Sequence, residues 1–197
     1  LLQAILLNPK ANVKELPLLT PKEREQLLIS WNNTKTYYPQ EQCIHQLFEA
    51  QVKRTPDAIA VVFEEQSLTY SELNCRANQL AHYLQTLGVE PEVLVGISVE
   101  RSLEMIIGLL AILKAGGAYL PLAPDYPNER LQFMLEDSQV PFLITHSSLL
   151  EKLPPFQATL ICLDRIQEQI SQYPQDNLQN KLITSNLANV IYTSGST

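Results

Sequence analysis

The sequence predicts an α/β fold in which a mainly parallel sheet is flanked by helices. From residue 93 onward, short apolar segments alternate with segments of helical periodicity. The short segments are rich in valine, isoleucine and leucine, which is typical of parallel strands buried on both faces. Apolar residues make up 45% of the 197 residues and charged residues 18%, so the chain is able to bury a substantial core. This alternation favours one sheet with helices on both of its faces.

The first forty residues predict a short helical region that ends in a linker. Residues 1–7 are apolar and resemble the end of a helix. The sequence Thr20-Pro21-Lys22-Glu23 combines a hydroxyl N-cap, a proline at the first helical position and a glutamate at the third, so it predicts a helix that runs to Trp31. Residues 35–40 are polar and aromatic, and we therefore place a domain boundary near residue 40.

The next segment predicts a helix, a hairpin and a second helix. Apolar side chains at helical spacing predict a helix over 44–53. Residues 58–63 and 67–69 predict two short strands joined by a polar turn. A capping box at Thr69–Glu72 opens the second helix, and Gly88 is its predicted stop.

The alternation that follows Gly88 predicts the main sheet. Strands are predicted at 93–98, 118–122, 141–145, 159–163 and 190–192. Helices are predicted at 103–114, 127–135 and 147–152. Residues 175–187 predict a polar connection before the final strand.

Charge and hydropathy argue against two classes of partner. The net charge is −7, and lysine and arginine are scattered singly, so we expect no nucleic acid partner. The most apolar stretch, Met105–Ala123, is interrupted by Lys114, by two glycines and by Pro121. A membrane span needs about 20 consecutive apolar residues, so we interpret this stretch as a buried helix followed by a buried strand and expect no membrane partner.

The cysteine and histidine residues predict no metal site. The three cysteines, Cys43, Cys75 and Cys162, have no close spacing and no accompanying histidine pattern. We expect reduced thiols in a cytoplasmic protein. No catalytic residue and no metal ligand is singled out by spacing alone.

The last five residues form a candidate anion-binding loop. Thr193, Ser194, Gly195, Ser196 and Thr197 follow an apolar predicted strand, and small residues at such a position allow backbone N–H groups and hydroxyls to converge on a polyphosphate. A solvated turn is the alternative interpretation. The pattern G-x-x-x-x-G-K-[ST] is absent.

A second segment has a structural interpretation. Lys114 lies at the end of a predicted helix, where its charge complements the helix dipole, and Gly116 or Gly117 suits the left-handed cap position.

Three segments together resemble the first three core motifs of the adenylation domains of non-ribosomal peptide synthetases, which belong to the adenylate-forming enzymes. Leu68–Leu73 resembles L-[TS]-Y-x-E-L, and Leu113–Leu122 resembles L-K-A-G-x-A-Y-[VL]-P-[LI]. Tyr192–Thr197 resembles the start of Y-T-S-G-[ST]-T-G-x-P-K-G. Residues 16–39 resemble the linker that joins an upstream condensation domain to an adenylation domain. Ala123 departs from the family, which often has aspartate there.

The resemblance implies a function and a domain organisation. Residues 1–40 would be the tail of a condensation domain with its linker, and residues 41–197 the N-terminal part of the large subdomain of an adenylation domain. The implied reaction joins an amino acid to Mg-ATP as an aminoacyl adenylate and then loads the phosphopantetheine thiol of a carrier domain. Thr193, Ser194, Gly195, Ser196 and Thr197 would hold the β- and γ-phosphates of ATP. We expect this chain to be part of a longer enzyme and to be inactive alone.

Two alternatives remain open from the sequence. The first is part of an acyl- or aryl-CoA ligase, which uses the same adenylation step. The second is a non-catalytic interaction module that keeps the adenylation fold.

Overall fold

The computed structural model describes residues 2–179 and 182–193. By its internal contacts the chain divides into two compact units, Leu1–Pro39 and Gln40–Thr197. The described strands all belong to the second unit.

The first unit is built from short helical segments. They are α1 (Leu2–Leu7), a 3-10 turn (Val13–Glu15), α2 (Pro21–Glu25) and a π-helical turn (Gln26–Ser30). The predicted capping box is confirmed, since the backbone N–H of Glu23 donates to Thr20 Oγ1 at 3.2 Å and that of Thr20 donates to the Glu23 carboxylate at 2.7 Å. None of the residues of α2 or of the π-helical turn is buried.

The second unit begins with a helix, a hairpin and a long helix, as predicted. These elements are α3 (Ile44–Arg54), β1 (Ile59–Phe63), β2 (Gln66–Thr69) and α4 (Tyr70–Thr86). The two strands pair antiparallel. The Thr69–Glu72 capping box is present, and Gly88 adopts a left-handed φ of 101° just beyond α4, as expected of a helix stop.

Within the described residues the main sheet has four parallel strands, which confirms the predicted α/β fold. The strands are β3 (Leu94–Ser98), β4 (Ala118–Pro121), β5 (Phe142–Thr145) and β6 (Thr159–Cys162), in the spatial order β4-β3-β5-β6. The helices are α5 (Leu103–Ala115), α6 (Asn128–Ser138), a 3-10 helix (Ser147–Lys152) and α7 (Leu163–Ile170). Ile97 of β3 lies opposite Pro121 on one side and Ile144 on the other.

Two hydrophobic clusters cover the sheet. Successive residues of a strand point to opposite faces, and Leu143 and Ile144 of β5 accordingly belong to different clusters. The cluster with Ile144 contains the buried faces of α4 and α5, and the cluster with Leu143 contains that of α6. Helices therefore cover both faces of the sheet, as the apolar strands predict.

The prediction of a final strand over 190–192 is wrong. Asn189 forms only an isolated parallel bridge with Tyr119, in which Tyr119 N donates to Ala188 O at 3.1 Å and Val190 N donates to Tyr119 O at 3.0 Å. The next outward-facing donor on β4 would be the N–H of residue 121, and residue 121 is proline. The ladder cannot continue, because proline has no N–H to donate.

Helix α7 is an element that the sequence interpretation did not include. Its apolar residues Leu163, Ile166 and Ile170 recur at helical spacing and belong to the hydrophobic cluster with Ile144. The periodicity was therefore present in the sequence. Among the described residues, no helix is long and apolar enough to cross a membrane.

Candidate functional site

The carboxyl ends of the four parallel strands lie at one edge of the sheet, where α/β proteins bind ligands. A cleft of about 580 Å³ opens there beside β3 and β4. Ile97 and Tyr119 belong to its wall, and the residues that follow β4 form its rim. Among the described residues, the charged side chains that line it are those of Glu100, Arg101, Asp125 and Lys152.

The charges of this cleft balance. Lys152 Nζ lies 3.6 Å from Glu100 Oε1, and both side chains are more than half exposed. Arg101 and Asp125 supply one further cation and one further anion. The described residues of the lining therefore carry two charges of each sign. In the sequence, the position of these residues directly after the predicted parallel strands indicates where the cleft lies.

The segment that leads to the candidate loop runs along the outer edge of β4. The bridge between Asn189 and Tyr119 is parallel, so the segment runs toward the carboxyl ends of the strands. Of the five predicted site residues, Thr193 is described and is exposed. Ser194, Gly195, Ser196 and Thr197 lie outside the described residues.

The side chain of Tyr192 holds this segment against helix α6. Its phenol donates a hydrogen bond to the Asp137 carboxylate, and the Phe133 ring packs edge-on at a centroid distance of 6.0 Å. Burial, together with the hydrogen bond to Asp137, raises the pKa of Tyr192 to about 12. Val190 and Tyr192 also pack against the hydrophobic cluster that contains Leu143. The sequence interpretation missed Asp137, since nothing local links it to residue 192.

Lys114 lies in the last turn of α5, as predicted, and the structure adds that its side chain is buried. Its side chain is only 1% exposed and forms an ion pair with Glu49 of α3. Its ammonium group also lies 3.3 Å from Asn177 Oδ1 and 5.9 Å from the centre of the Phe48 ring. Burial lowers the pKa of Lys114, and the hydrogen bond and charge of Glu49 oppose that shift. The C-cap itself is taken by Gly116, with a left-handed φ of 110°.

Asn177 Oδ1 joins this ion pair to helix α4. It accepts hydrogen bonds from Asn74 Nδ2 and from Asn78 Nδ2, each at 2.9 Å. Asn78 Nδ2 also donates to the carbonyl oxygen of Gln175 at 2.6 Å. The second motif therefore serves the fold, because its lysine closes a buried polar network around the connection that follows α7.

Within residues 2–179 and 182–193, no group of three or more histidine, cysteine, aspartate or glutamate side chains is placed to hold a metal ion. The three cysteines are free thiols.

His45 makes stability depend on pH below neutrality. Its side chain is 5% exposed, and burial lowers its pKa, with a smaller opposing effect of Glu49 and a further lowering by Lys114. As the pH falls through about 6.5, the unfolded chain binds a proton that the folded chain does not, so the free energy of unfolding decreases. We expect the decrease between about pH 7.5 and pH 5.5 to be smaller in His45→Leu than in the wild type. Urea unfolding at both pH values measures it.

An unchanged pH dependence in His45→Leu would contradict the assignment of this effect to His45.

Comparisons with known proteins agree with this architecture. The model of the AMP-binding enzyme family matches residues 48–197. Gramicidin S synthase 2 of Brevibacillus brevis is 48% identical over 199 residues, which is 100% of this chain and 4% of that protein. Tyrocidine synthase 3 of Brevibacillus parabrevis is 48% identical over 195 residues, which is 98% of this chain and 3% of that protein. The chain spans between 2% and 5% of the length of the curated relatives it matches.

Two solved structures are similar in fold and sequence. The AMPPNP-bound form of the non-ribosomal peptide synthetase FmoA3 matches with a TM-score of 0.76 and 32% identity, over 87% of this chain and 18% of that one. An artificially fused adenylation–PCP di-domain from Klebsiella oxytoca matches with a TM-score of 0.72 and 25% identity, over 80% of this chain and 29% of that one.

Proposed function

Because this chain belongs to the AMP-binding enzyme family, with adenylation domains of non-ribosomal peptide synthetases as its relatives, we propose that the full-length protein activates an amino acid with ATP. The products of this step are an aminoacyl adenylate and pyrophosphate. The observation that carries the proposal is the path of the segment that ends in Thr193. Its parallel bridge with Tyr119 means that the described part of this segment runs toward the carboxyl edge of the sheet.

The proposed phosphate-binding residues are Thr193, Ser194, Gly195, Ser196 and Thr197. Hydroxyl and backbone N–H donors in this loop would hold the β- and γ-phosphates and stabilise the negative charge that develops on the leaving pyrophosphate.

The proposed reaction also involves Mg²⁺ and a phosphopantetheine thiol, and we assign no residue of this chain to either group. Mg²⁺ accompanies ATP and is often held by substrate phosphates with one or two carboxylates. The described residues contain no cluster of three or more metal-binding side chains, and we assign none of them to the ion. The phosphopantetheine thiol of a carrier domain would accept the acyl group, and the similarity to an adenylation–PCP di-domain supports that partner.

The first unit has a proposed role as a connection between domains. We assign residues 1–40 to the tail of an upstream condensation domain with its linker, and residues 41–197 to the N-terminal part of the adenylation domain. The similarity to peptide synthetases extends over the whole chain, including these first residues, which supports an amino acid rather than a fatty or aryl acid as substrate. The free thiols support a cytoplasmic location.

Amino-acid-dependent exchange of pyrophosphate into ATP tests the proposal. The full-length protein is incubated with ATP, Mg²⁺ and labelled pyrophosphate, together with each candidate amino acid in turn. We expect exchange with a small set of amino acids and none with the matching acids that lack the amino group. Exchange that depends on aryl or fatty acids, followed by thioester formation with coenzyme A, would favour the ligase alternative. No exchange with any acid would favour the non-catalytic module.

A further inference from the structure

We propose that Asp137 is a positioning residue for the phosphate-binding loop, through its hydrogen bond to Tyr192. This inference rests on the proposed function. Asp137 lies on α6, outside all three sequence motifs, and its carboxylate accepts the hydrogen bond of the Tyr192 phenol. Tyr192 directly precedes the five loop residues.

Contacts to the rest of the fold hold the segment before the loop, residues 186–192, at its start, in its middle and at its end. At its start, the Glu92 carboxylate accepts hydrogen bonds from Asn186 Nδ2 at 2.7 Å and from the backbone N–H of Leu187 at 3.2 Å. In its middle, the backbone of Tyr119 pairs with Ala188 and Val190. At its end, Tyr192 bonds to Asp137. The loop follows the last of these points.

The contacts of Tyr192 with α6 come after the point where the backbone pairing with β4 ends. Pro121 has no N–H to donate to the carbonyl oxygen of Val190, so the ladder stops there. After the ladder ends, the side chain of Tyr192 holds the segment against α6. It contacts the Asp137 carboxylate and the Phe133 ring.

Helix α6 is suited to act as a fixed support. Its residues Leu131, Met134 and Leu135 are buried in the hydrophobic cluster against the sheet. A bond from a phenol to an ionised carboxylate is short and directional, so it fixes an orientation as well as a distance. Asp137 itself is exposed, so the bond contributes little to overall stability and mainly restricts the chain that leads to the loop.

Two measurements on the full-length protein test this inference. Hydrogen–deuterium exchange of the peptide that covers residues 188–197 reports the fastening, and pyrophosphate exchange kinetics report its effect on ATP. For Asp137→Ala and for Tyr192→Phe we expect faster deuterium uptake in this peptide and an increase in the KM for ATP of about fivefold. The KM for the amino acid should not change. The double variant should be no worse than either single variant, because both remove the same bond.

The matched control is Glu136→Ala. Glu136 is the preceding residue of α6, and its carboxylate accepts a hydrogen bond from Gln132 one turn earlier on the same helix. Glu136→Ala removes the same negative charge from α6 as Asp137→Ala but leaves the hydrogen bond of Tyr192 in place. Deuterium uptake and the KM for ATP should therefore stay at the wild-type values. Asp137→Asn keeps an acceptor for the phenol, and we expect it to restore most of the ATP affinity.

The outcomes separate this inference from the proposed function. Unchanged deuterium uptake in Asp137→Ala would overturn the inference whatever the activity. Faster uptake with an unchanged KM for ATP would also overturn it. A wild-type protein without exchange activity would overturn the proposed function, and the deuterium measurement would still decide whether Asp137 fastens the segment.

Discussion

Replacing Ser194 and Thr197 together by alanine is expected to lower kcat/KM for ATP by at least about a hundredfold in the full-length protein. Each substitution removes a hydroxyl donor from the proposed phosphate-binding loop, and a hydrogen bond to a charged group contributes about 1.5–3 kcal/mol. Backbone N–H donors and Gly195 remain, so activity should fall without disappearing. Pyrophosphate exchange at varied ATP concentration measures the change.

The control for the loop variant is Ser185→Ala. Ser185 is an exposed hydroxyl residue in the polar connection before the loop, and its removal should leave kcat/KM for ATP unchanged. Single variants that keep a hydroxyl, Ser194→Thr and Thr197→Ser, should retain more activity than the alanine variants. Adenylation at the wild-type rate in the double alanine variant would show that the loop is a solvated turn.

Replacing Lys114 by methionine is expected to lower the free energy of unfolding by about 3 kcal/mol. The ammonium group is buried, pairs with Glu49 and lies within hydrogen-bond distance of Asn177 Oδ1. Methionine fills a similar volume but leaves the Glu49 carboxylate, which is 17% exposed, without its cation. Removal of one partner from a buried ion pair is costly because the other charge stays behind in a poorly solvated place. Urea unfolding measures the loss.

A matched control separates burial from charge. Lys152→Met removes a lysine from an ion pair that is 57% and 69% exposed, and such pairs contribute about 0–1 kcal/mol. The double variant Lys114→Met with Glu49→Gln should lose less stability than the sum of the two single variants, because neither charge then remains unpaired. Equal losses for Lys114→Met and Lys152→Met would contradict the role of the buried network.

Much of the fold was predictable because its signals are local. The capping boxes at Thr20 and Thr69 each depend on two residues that are three positions apart. The helix stop at Gly88 depends on the backbone freedom of a single residue. The strands of the sheet were predicted from short runs of apolar residues, and the alternation of strand and helix predicted their parallel arrangement. The resemblance to adenylation domains rested on three contiguous motifs in the same way.

The final strand shows where local signals stop being sufficient. Residues 190–192 have the apolar, β-branched character of a strand, but their pairing depended on a partner elsewhere in the chain. That partner, β4, ends in Pro121 and offers no further donor on its outer edge. The strand does not form because Pro121, about seventy positions away in the chain, has no N–H to pair with it.

The sequence by itself determined most of the helices and strands, the parallel α/β class and the family, because each of these depends on residues that are near one another in the chain. The tertiary structure alone decided which polar side chains meet. Lys114 and Glu49 are 65 positions apart, Tyr192 and Asp137 are 55 apart, and Asn74 and Asn177 are 103 apart. Their pairing is set by the packing of helices on a sheet, which brings distant positions together and removes them from water. Periodicity and spacing do not indicate contacts between residues that are far apart in the chain. The role of Lys114 and the contact of Asp137 with the segment before the loop therefore emerged only from the fold.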